Sequence, residues 1–296
     1  MKLITKAFIN VILLVLTGCT TGMFASIPEE SGSIDVFFCD QVDCMSRLLD
    51  HIGEGSSCAF YHIDQSDADK LLAKDAILVV DSNHPIDNAI VESGSALMHD
   101  KFCVWDDFVW TGSWNPAQGL SIPNNAVLIE SRTLARAFKS EFNEFQRSIF
   151  HRGTSNPGIV KLNGQLTEVY FCPEDDCKKQ VMSVLRAAKS SVHFMTFSFT
   201  DDDIGDLLVK KEKEGIEVKG VFDSRKDKYS EYEKLKEFSS ISKVHHKVFI
   251  VDGHTVVTGS FNPSKNGNER NDENIIIIRD ENIAGLFEKE FNRLFD

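Results

Sequence analysis

The sequence predicts an α/β protein built as two pseudo-symmetric lobes, each a mixed sheet flanked by helices, with one site shared between them. Three observations carry this. Strand-like apolar runs alternate with helical periodicity along most of the chain. That succession occurs twice in the same order. The copies are separated by a turn-rich stretch, His151 to Thr167, containing Gly153, Asn156, Pro157, Gly158, Asn163 and Gly164.

The elements repeat one by one. Val36-Phe37-Phe38-Cys39 leads through four mostly polar residues to Cys44, as Val169-Tyr170-Phe171-Cys172 leads to Cys177. A helical pattern follows each: Met45, Leu48, Leu49 and Ile52 in the first copy, Val181, Val184, Leu185 and Ala188 in the second. Strand-like runs come next, from Cys58 to Ile63 and from Val192 to Phe197. Short polar helices precede further strands, Ala76 to Val80 and Ile216 to Phe222, which end in Asp81-Ser82 and Asp223-Ser224. Helices interleaved with strands indicate a layered architecture. The division is therefore residues 33–150 for the first half, 151–167 for a linker and 168–296 for the second half.

With 296 residues, 42% of them hydrophobic and 26% charged, the chain can bury a real core. Its net charge of -13 provides no broad basic surface and counts against non-specific nucleic-acid binding. A small cationic pocket is still compatible with that total.

The N-terminus reads as an export signal. Lys2 and Lys6 precede the short apolar run Ala7 to Thr17, too short for a span of ~20 residues. Leu16-Thr17-Gly18-Cys19 resembles a bacterial lipobox. That resemblance implies a signal peptide over residues 1–18, lipid modification of Cys19, and a tether over 19–32. The expected location is the non-cytoplasmic side of a membrane. Export favours disulfides among the six other cysteines. Cys39 with Cys44, and Cys172 with Cys177, would each close a small loop. A zinc site is disfavoured by the four-residue spacing. Cys58 and Cys103 either bridge adjacent strands or remain buried thiols.

The chemistry lies in a doubled motif. His245-His246-Lys247-Val248-Phe249-Ile250-Val251-Asp252 fits HxKxxxxD and is followed by Thr258-Gly259-Ser260-Phe261-Asn262-Pro263 and then Asn271-Asp272-Glu273-Asn274. His99-Asp100-Lys101-Phe102-Cys103-Val104-Trp105-Asp106 repeats it, followed by Thr111-Gly112-Ser113-Trp114-Asn115-Pro116 and Asn124-Asn125. On a strand, residues i and i+2 share a face, so each His projects with its Lys. Two symmetric lobes would gather two His, two Lys and two Asn around one pocket.

This doubled pattern resembles the phospholipase D superfamily of HKD phosphodiesterases, over essentially the whole mature chain. The resemblance implies metal-independent cleavage of a phosphodiester without a cofactor. It implies that His99 and His245 share the roles of nucleophile, through a phospho-histidine, and general acid, with precedent leaning toward His99 as nucleophile. Lys101, Lys247, Asn115 and Asn262 would hold the phosphate. Ser113 and Ser260 would either donate to phosphate or support the turn. Asp106 and Asp252 close the motifs as catalytic candidates or as structural turn residues. Glu273 is expected to orient His245, and its first-half counterpart is expected to be Asn125, which brings no charge to His99.

Other residues read more plainly. His246, His62 and His193 have no repeat-supported role and are expected in packing or on the surface. Trp105, Trp110 and Trp114 are expected in the core, and Asp201-Asp202-Asp203 at a helix cap. Three functions are compatible with the pattern. The first is a membrane-tethered phospholipase D acting on head groups. The second is a nuclease, and the third is a binding protein that has lost catalysis. Two motifs in one chain predict a monomer.

Overall fold

The computed structural model describes residues 26–117, 122–226 and 228–296. The signal peptide and Cys19 lie outside the described residues. The first lobe runs β1 (Glu29–Glu30), β2 (Ile34–Phe38), α1 (Cys44–His51), β3 (Ser57–Phe60), α2 (Gln65–Leu72) and β4 (Ile77–Val80). It continues with β5 (Ile90–Val91), β6 (Lys101–Trp105), β7 (Phe108–Gly112), β8 (Asn125–Glu130) and α3 (Arg132–Gln146). The second lobe runs β9 (Gly158–Leu162), β10 (Gln165–Cys172), α4 (Cys177–Arg186), β11 (Ser191–Thr196), α5 (Asp202–Lys213) and β12 (Glu217–Asp223). Then come α6 (Tyr232–Leu235), β13 (Ser239–Ser242), β14 (Lys247–Val251), β15 (Thr255–Gly259), α7 (Lys265–Glu269), β16 (Glu273–Arg279) and α8 (Glu281–Phe295).

The predicted duplication is visible in the strand orders of the described residues. One sheet runs β2-β8-β7-β6-β3-β4-β5, and the other contains β10-β16-β15-β14-β11-β12-β13, with β1 and β9 added at its edge. Both are mixed: β3 and β4, like β11 and β12, are parallel, while the hairpins β6–β7 and β14–β15 are antiparallel. The stretch expected as a loop, 151–167, contains β9 and the start of β10. The end of the expected tether is also structured, because β1 pairs with β9. Glu30 in β1 accepts hydrogen bonds from the Ser131 and Thr133 hydroxyls at the start of α3, which binds the tether to the fold.

Five layers result. Helices α1 and α2 cover the outer face of the first sheet, and α4 and α5 that of the second. A central apolar layer containing α3 and α8 lies between the sheets. Strand alternation divides the side chains: Val248 and Ile250 of β14 enter the central layer, while Phe249 and Val251 enter the outer one. Both faces being covered, these strands read as unbroken apolar runs. Trp105, Trp110 and Trp114 are buried in the outer core of the first lobe. Asp201 caps α5 by accepting from the Ile204 amide.

Disulfides join Cys39 to Cys44, Cys58 to Cys103 and Cys172 to Cys177. Cys58 and Cys103 face each other directly across β3 and β6, which settles the alternative left open by the sequence. The bridge therefore ties the strand that carries the first motif to its neighbour.

Candidate active site

Each motif begins just before a central strand, and the opposite lobe fixes where it begins. The His99 amide donates to the Asp272 carbonyl at 2.9 Å, and the His245 amide donates to the Pro123 carbonyl at 2.7 Å. Asn125 Nδ2 donates to Thr258 Oγ1 at 2.9 Å, and Asn274 Nδ2 donates to Thr111 Oγ1 at 2.8 Å. All four bonds cross the pseudo-two-fold axis in matching pairs. Buried polar groups tied this way allow little sliding between lobes, since a slip would leave each unpaired.

The same bonds correct the expected pairing. Glu273 does not serve His245. Its Oε2 lies 2.8 Å from Nδ1 of His99, in the other lobe. Gly112 faces Ala126 in the first sheet and Gly259 faces Ile275 in the second, so the counterpart of Glu273 is Asn124, not Asn125. Asn125 instead matches Asn274. The Nδ1 of His245 faces a backbone carbonyl, that of Ser113, at 3.0 Å. Both imidazoles have a backbone partner in the opposite lobe, Ser260 for His99 and Ser113 for His245, and only His99 has a carboxylate as well. In both, Nδ1–H donates and Nε2 is left with its lone pair.

Lys101 and Lys247 are almost fully buried beside these rings. Lys101 Nζ donates to the His99 carbonyl at 2.6 Å and Lys247 Nζ to the His245 carbonyl at 2.9 Å, with His245 Nε2 at 3.4 Å. Burial pulls Lys101 down to about 7 against the attraction of Glu273, and it holds Lys247 well below the ordinary lysine range, with Lys101 adding repulsion. Burial and the two ammonium groups also hold both imidazoles well below the ordinary histidine range. Burial raises Glu273, and Lys101 and Lys247 draw it back toward the carboxylate form. Asn115 and Asn262 follow β7 and β15. Their carboxamide oxygens are buried and without a hydrogen-bond partner among the described residues. An amide rotated by half a turn presents its NH2 donors there instead.

A family model described as "Cardiolipin synthase, PLD-like domain" matches residues 181–295. A phospholipase D of Rickettsia bellii is 30% identical over 138 residues, which is 44% of this chain and 69% of that relative. The chain belongs to the phospholipase D superfamily. A mitochondrial cardiolipin hydrolase of Chlamydomonas reinhardtii is 23% identical over 195 residues, 53% of this chain and 86% of that one. In fold, the chain resembles phosphatidylserine synthase from Haemophilus influenzae with a TM-score of 0.65 at 9% identity, covering 88% of this chain and 85% of the other. This superfamily member is accordingly a phosphodiesterase.

The motif aspartates lie away from the histidines of this phosphodiesterase. Asp252 follows β14 at its far end, five residues past Lys247, or roughly 17 Å along a strand. Its carboxylate accepts from the amides of Lys189, Ser190 and Ser191 and from the Ser190 hydroxyl, at 2.7–3.0 Å. Asp106 occupies the equivalent turn, and both have positive φ, 39° and 55°. The turn reading of these residues fits the geometry, and the catalytic one does not. Ser113 and Ser260 support turns as well: their hydroxyls accept from the amides of Asn125 and Asn274.

His246 is buried at the lobe interface, with Nδ1 3.0 Å from Asn125 Oδ1 and Nε2 3.2 Å from Glu290 Oε1. His193 bridges Glu217 and Glu288. Two site residues were missed from sequence. Tyr61 lies 4.8 Å from the His99 ring and Phe197 lies 4.7 Å from the His245 ring, each also near the adjacent lysine. They occupy the same place in the repeat, one residue past β3 and β11, and that match was the available signal. No group of three or more His, Cys, Asp or Glu able to hold a metal ion occurs among the described residues.

Proposed function

We propose that the enzyme hydrolyses phospholipid head groups through a phospho-histidine, with His99 as nucleophile and His245 as general acid. The observation that carries this is the unequal support of the two imidazoles. His99 Nε2 attacks phosphorus while the bond to the leaving oxygen breaks, and His245 gives that oxygen its Nε2 proton. The phospho-imidazole then bears positive charge, which the Glu273 carboxylate behind Nδ1 favours. His245 next takes a proton from water as the water oxygen attacks phosphorus, the P–N bond breaks, and His99 is restored. Lys101, Lys247, Asn115 and Asn262 stabilise the charge on the phosphoryl oxygens.

His245 has no carboxylate behind it in this arrangement, so its protonated form is the stronger acid and releases its proton readily. Lipid is preferred over nucleic acid because of the net charge of -13 and because Cys19 would anchor the enzyme beside a bilayer. The three disulfides support export to an oxidising compartment on the non-cytoplasmic side.

The test uses the purified enzyme in EDTA with phospholipid vesicles and, separately, single-stranded DNA. Head-group release that is lost in both His99→Ala and His245→Ala supports the proposal. Acid-quenched turnover should trap a phospho-enzyme in wild type and none in His99→Ala. DNA cleavage without head-group release would establish a nuclease instead. Head-group release that needs a metal and survives both substitutions would overturn the mechanism.

A further inference from the structure

The walls beside the two histidines have the same frame and opposite charge. In the first lobe, β4 runs into Asp81, whose Oδ1 accepts from the Asn83 amide at 2.8 Å and from Asn83 Nδ2 at 2.7 Å. In the second, β12 ends at Asp223, which accepts from the Arg225 amide and Arg225 Nε at 2.8 Å and from Nη2 at 3.2 Å. Each carboxylate also takes the amide just ahead of its motif, Met98 at 2.9 Å and Val244 at 2.8 Å. The turn is conserved between lobes while Asn83 is replaced by Arg225 and His84 by Lys226. The first wall thus sets an amide and the stacked imidazoles of His62 and His84, 3.8 Å apart, against its carboxylate. The second sets two cations against its carboxylate.

Those cations border a cavity of about 200 Å³ that also includes Phe197, Ser198 and Thr200. The Arg225 side chain remains half exposed despite its pairing with Asp223. It lies 4.8 Å from the Phe197 ring centroid, and Lys247 Nζ lies 5.3 Å from the same point. No more than about 10 Å therefore separates Arg225 from the phosphate-binding lysine, one Debye length at 0.1 M salt. An anion seated in this cavity and a phosphate on Lys247 are close enough to be two groups of one small molecule.

We propose that this cavity is a subsite for a second phosphate of the substrate, held by Arg225 and Lys226 while the scissile phosphate sits between His99 and His245. The preferred lipid is one whose head group carries two phosphates on a short bridge. Arginine suits this role because its planar donors match phosphate oxygens. The proposal rests on the phosphodiesterase reading of the histidine pair.

A binding test separates the two ideas because it needs no turnover. Calorimetry on the purified full-length protein would compare glycerol 1,3-bisphosphate with glycerol 3-phosphate at low salt. Wild type should bind the bisphosphate at least tenfold more tightly, Arg225→Gln should remove most of that difference, and Arg225→Lys should restore part of it. Lys226→Gln, which leaves the Asp223 pair intact, should narrow the difference several-fold and covers the case in which Arg225→Gln does not fold. Equal affinities in wild type, or a difference unchanged in both neutral variants, would overturn the subsite. In turnover, Arg225→Gln should reduce kcat/KM on cardiolipin at least tenfold more than on bis(p-nitrophenyl) phosphate; an equal loss on both would assign Arg225 a structural role only. A wild type that binds the bisphosphate selectively but cleaves neither compound would retain the subsite and reject the phosphodiesterase mechanism.

Discussion

His99 is held by Glu273, a residue 174 positions further along the chain and in the other lobe, at 2.8 Å. The nucleophile of the proposed reaction is therefore positioned by the opposite half of the repeat. Glu273→Gln keeps the shape and removes the charge. It should lower kcat by roughly 10- to 100-fold, the usual cost of losing a partner that orients a working histidine. Trapped phospho-enzyme should fall with it, with KM little changed. A drop confined to KM would show that Glu273 acts on binding instead.

The acid role of His245 gives a pH dependence of definite sign. Burial and the lysines hold this imidazole well below its ordinary range, so its protonated fraction declines as pH rises from below that range. Cleavage should accordingly favour mildly acidic conditions. Asn124→Glu restores a carboxylate at the position symmetric to Glu273 and should raise the His245 pKa, moving the kcat/KM profile upward by about one unit. An unmoved profile would separate His245 from the acid step.

Lys101, depressed to about 7 by burial, should gain its proton when an anion arrives. Sulfate, a dianion throughout this range, should bind more tightly as pH falls through 7, with proton uptake visible when calorimetry is repeated in buffers of different ionisation enthalpy. Lys101→Met should abolish the uptake and weaken sulfate by ~10-fold or more.

Asp252 should behave as a structural residue. Its carboxylate is held below its ordinary value: burial opposes this, and the amides of Ser191 and Ser190 outweigh it. That stability is present above the unfolded value of about 4 and is lost as pH falls through the lower folded one. Asp252→Asn should cost roughly 1–2 kcal/mol at pH 7 by thermal melting and less in acid, while kcat stays near wild type. A large kcat loss without destabilisation would return Asp252 to the chemistry.

The Cys58–Cys103 bridge closes the longest loop of the three, with a separation of 45 residues against five for the others. Replacing both cysteines by alanine should cost about 4 kcal/mol in denaturant unfolding, by the chain-entropy relation. Removing either short loop should cost about half as much.

Much of this was legible in advance. The doubled succession of strands and helices predicted two matching sheets, and HxKxxxxD at i and i+2 placed each His beside its Lys, because strand alternation is a local property. The Cys39–Cys44 and Cys172–Cys177 loops were readable for the same reason. Asn124-Asn125 was not: two adjacent asparagines look alike in sequence, and only the register of β7 on β8 shows which one stands for Glu273.

Alternation and repetition along the chain were enough to show a duplicated fold and the side chains that gather in its site. Which lobe supports which histidine, and that Asp106 and Asp252 lie at turns away from it, came only with the packing of the two sheets. The difference is one of range. Periodicity and motif spacing report a chain's own strands, whereas the His99–Glu273 bond exists only once two sheets pack across a pseudo-two-fold axis and exchange their buried hydrogen bonds.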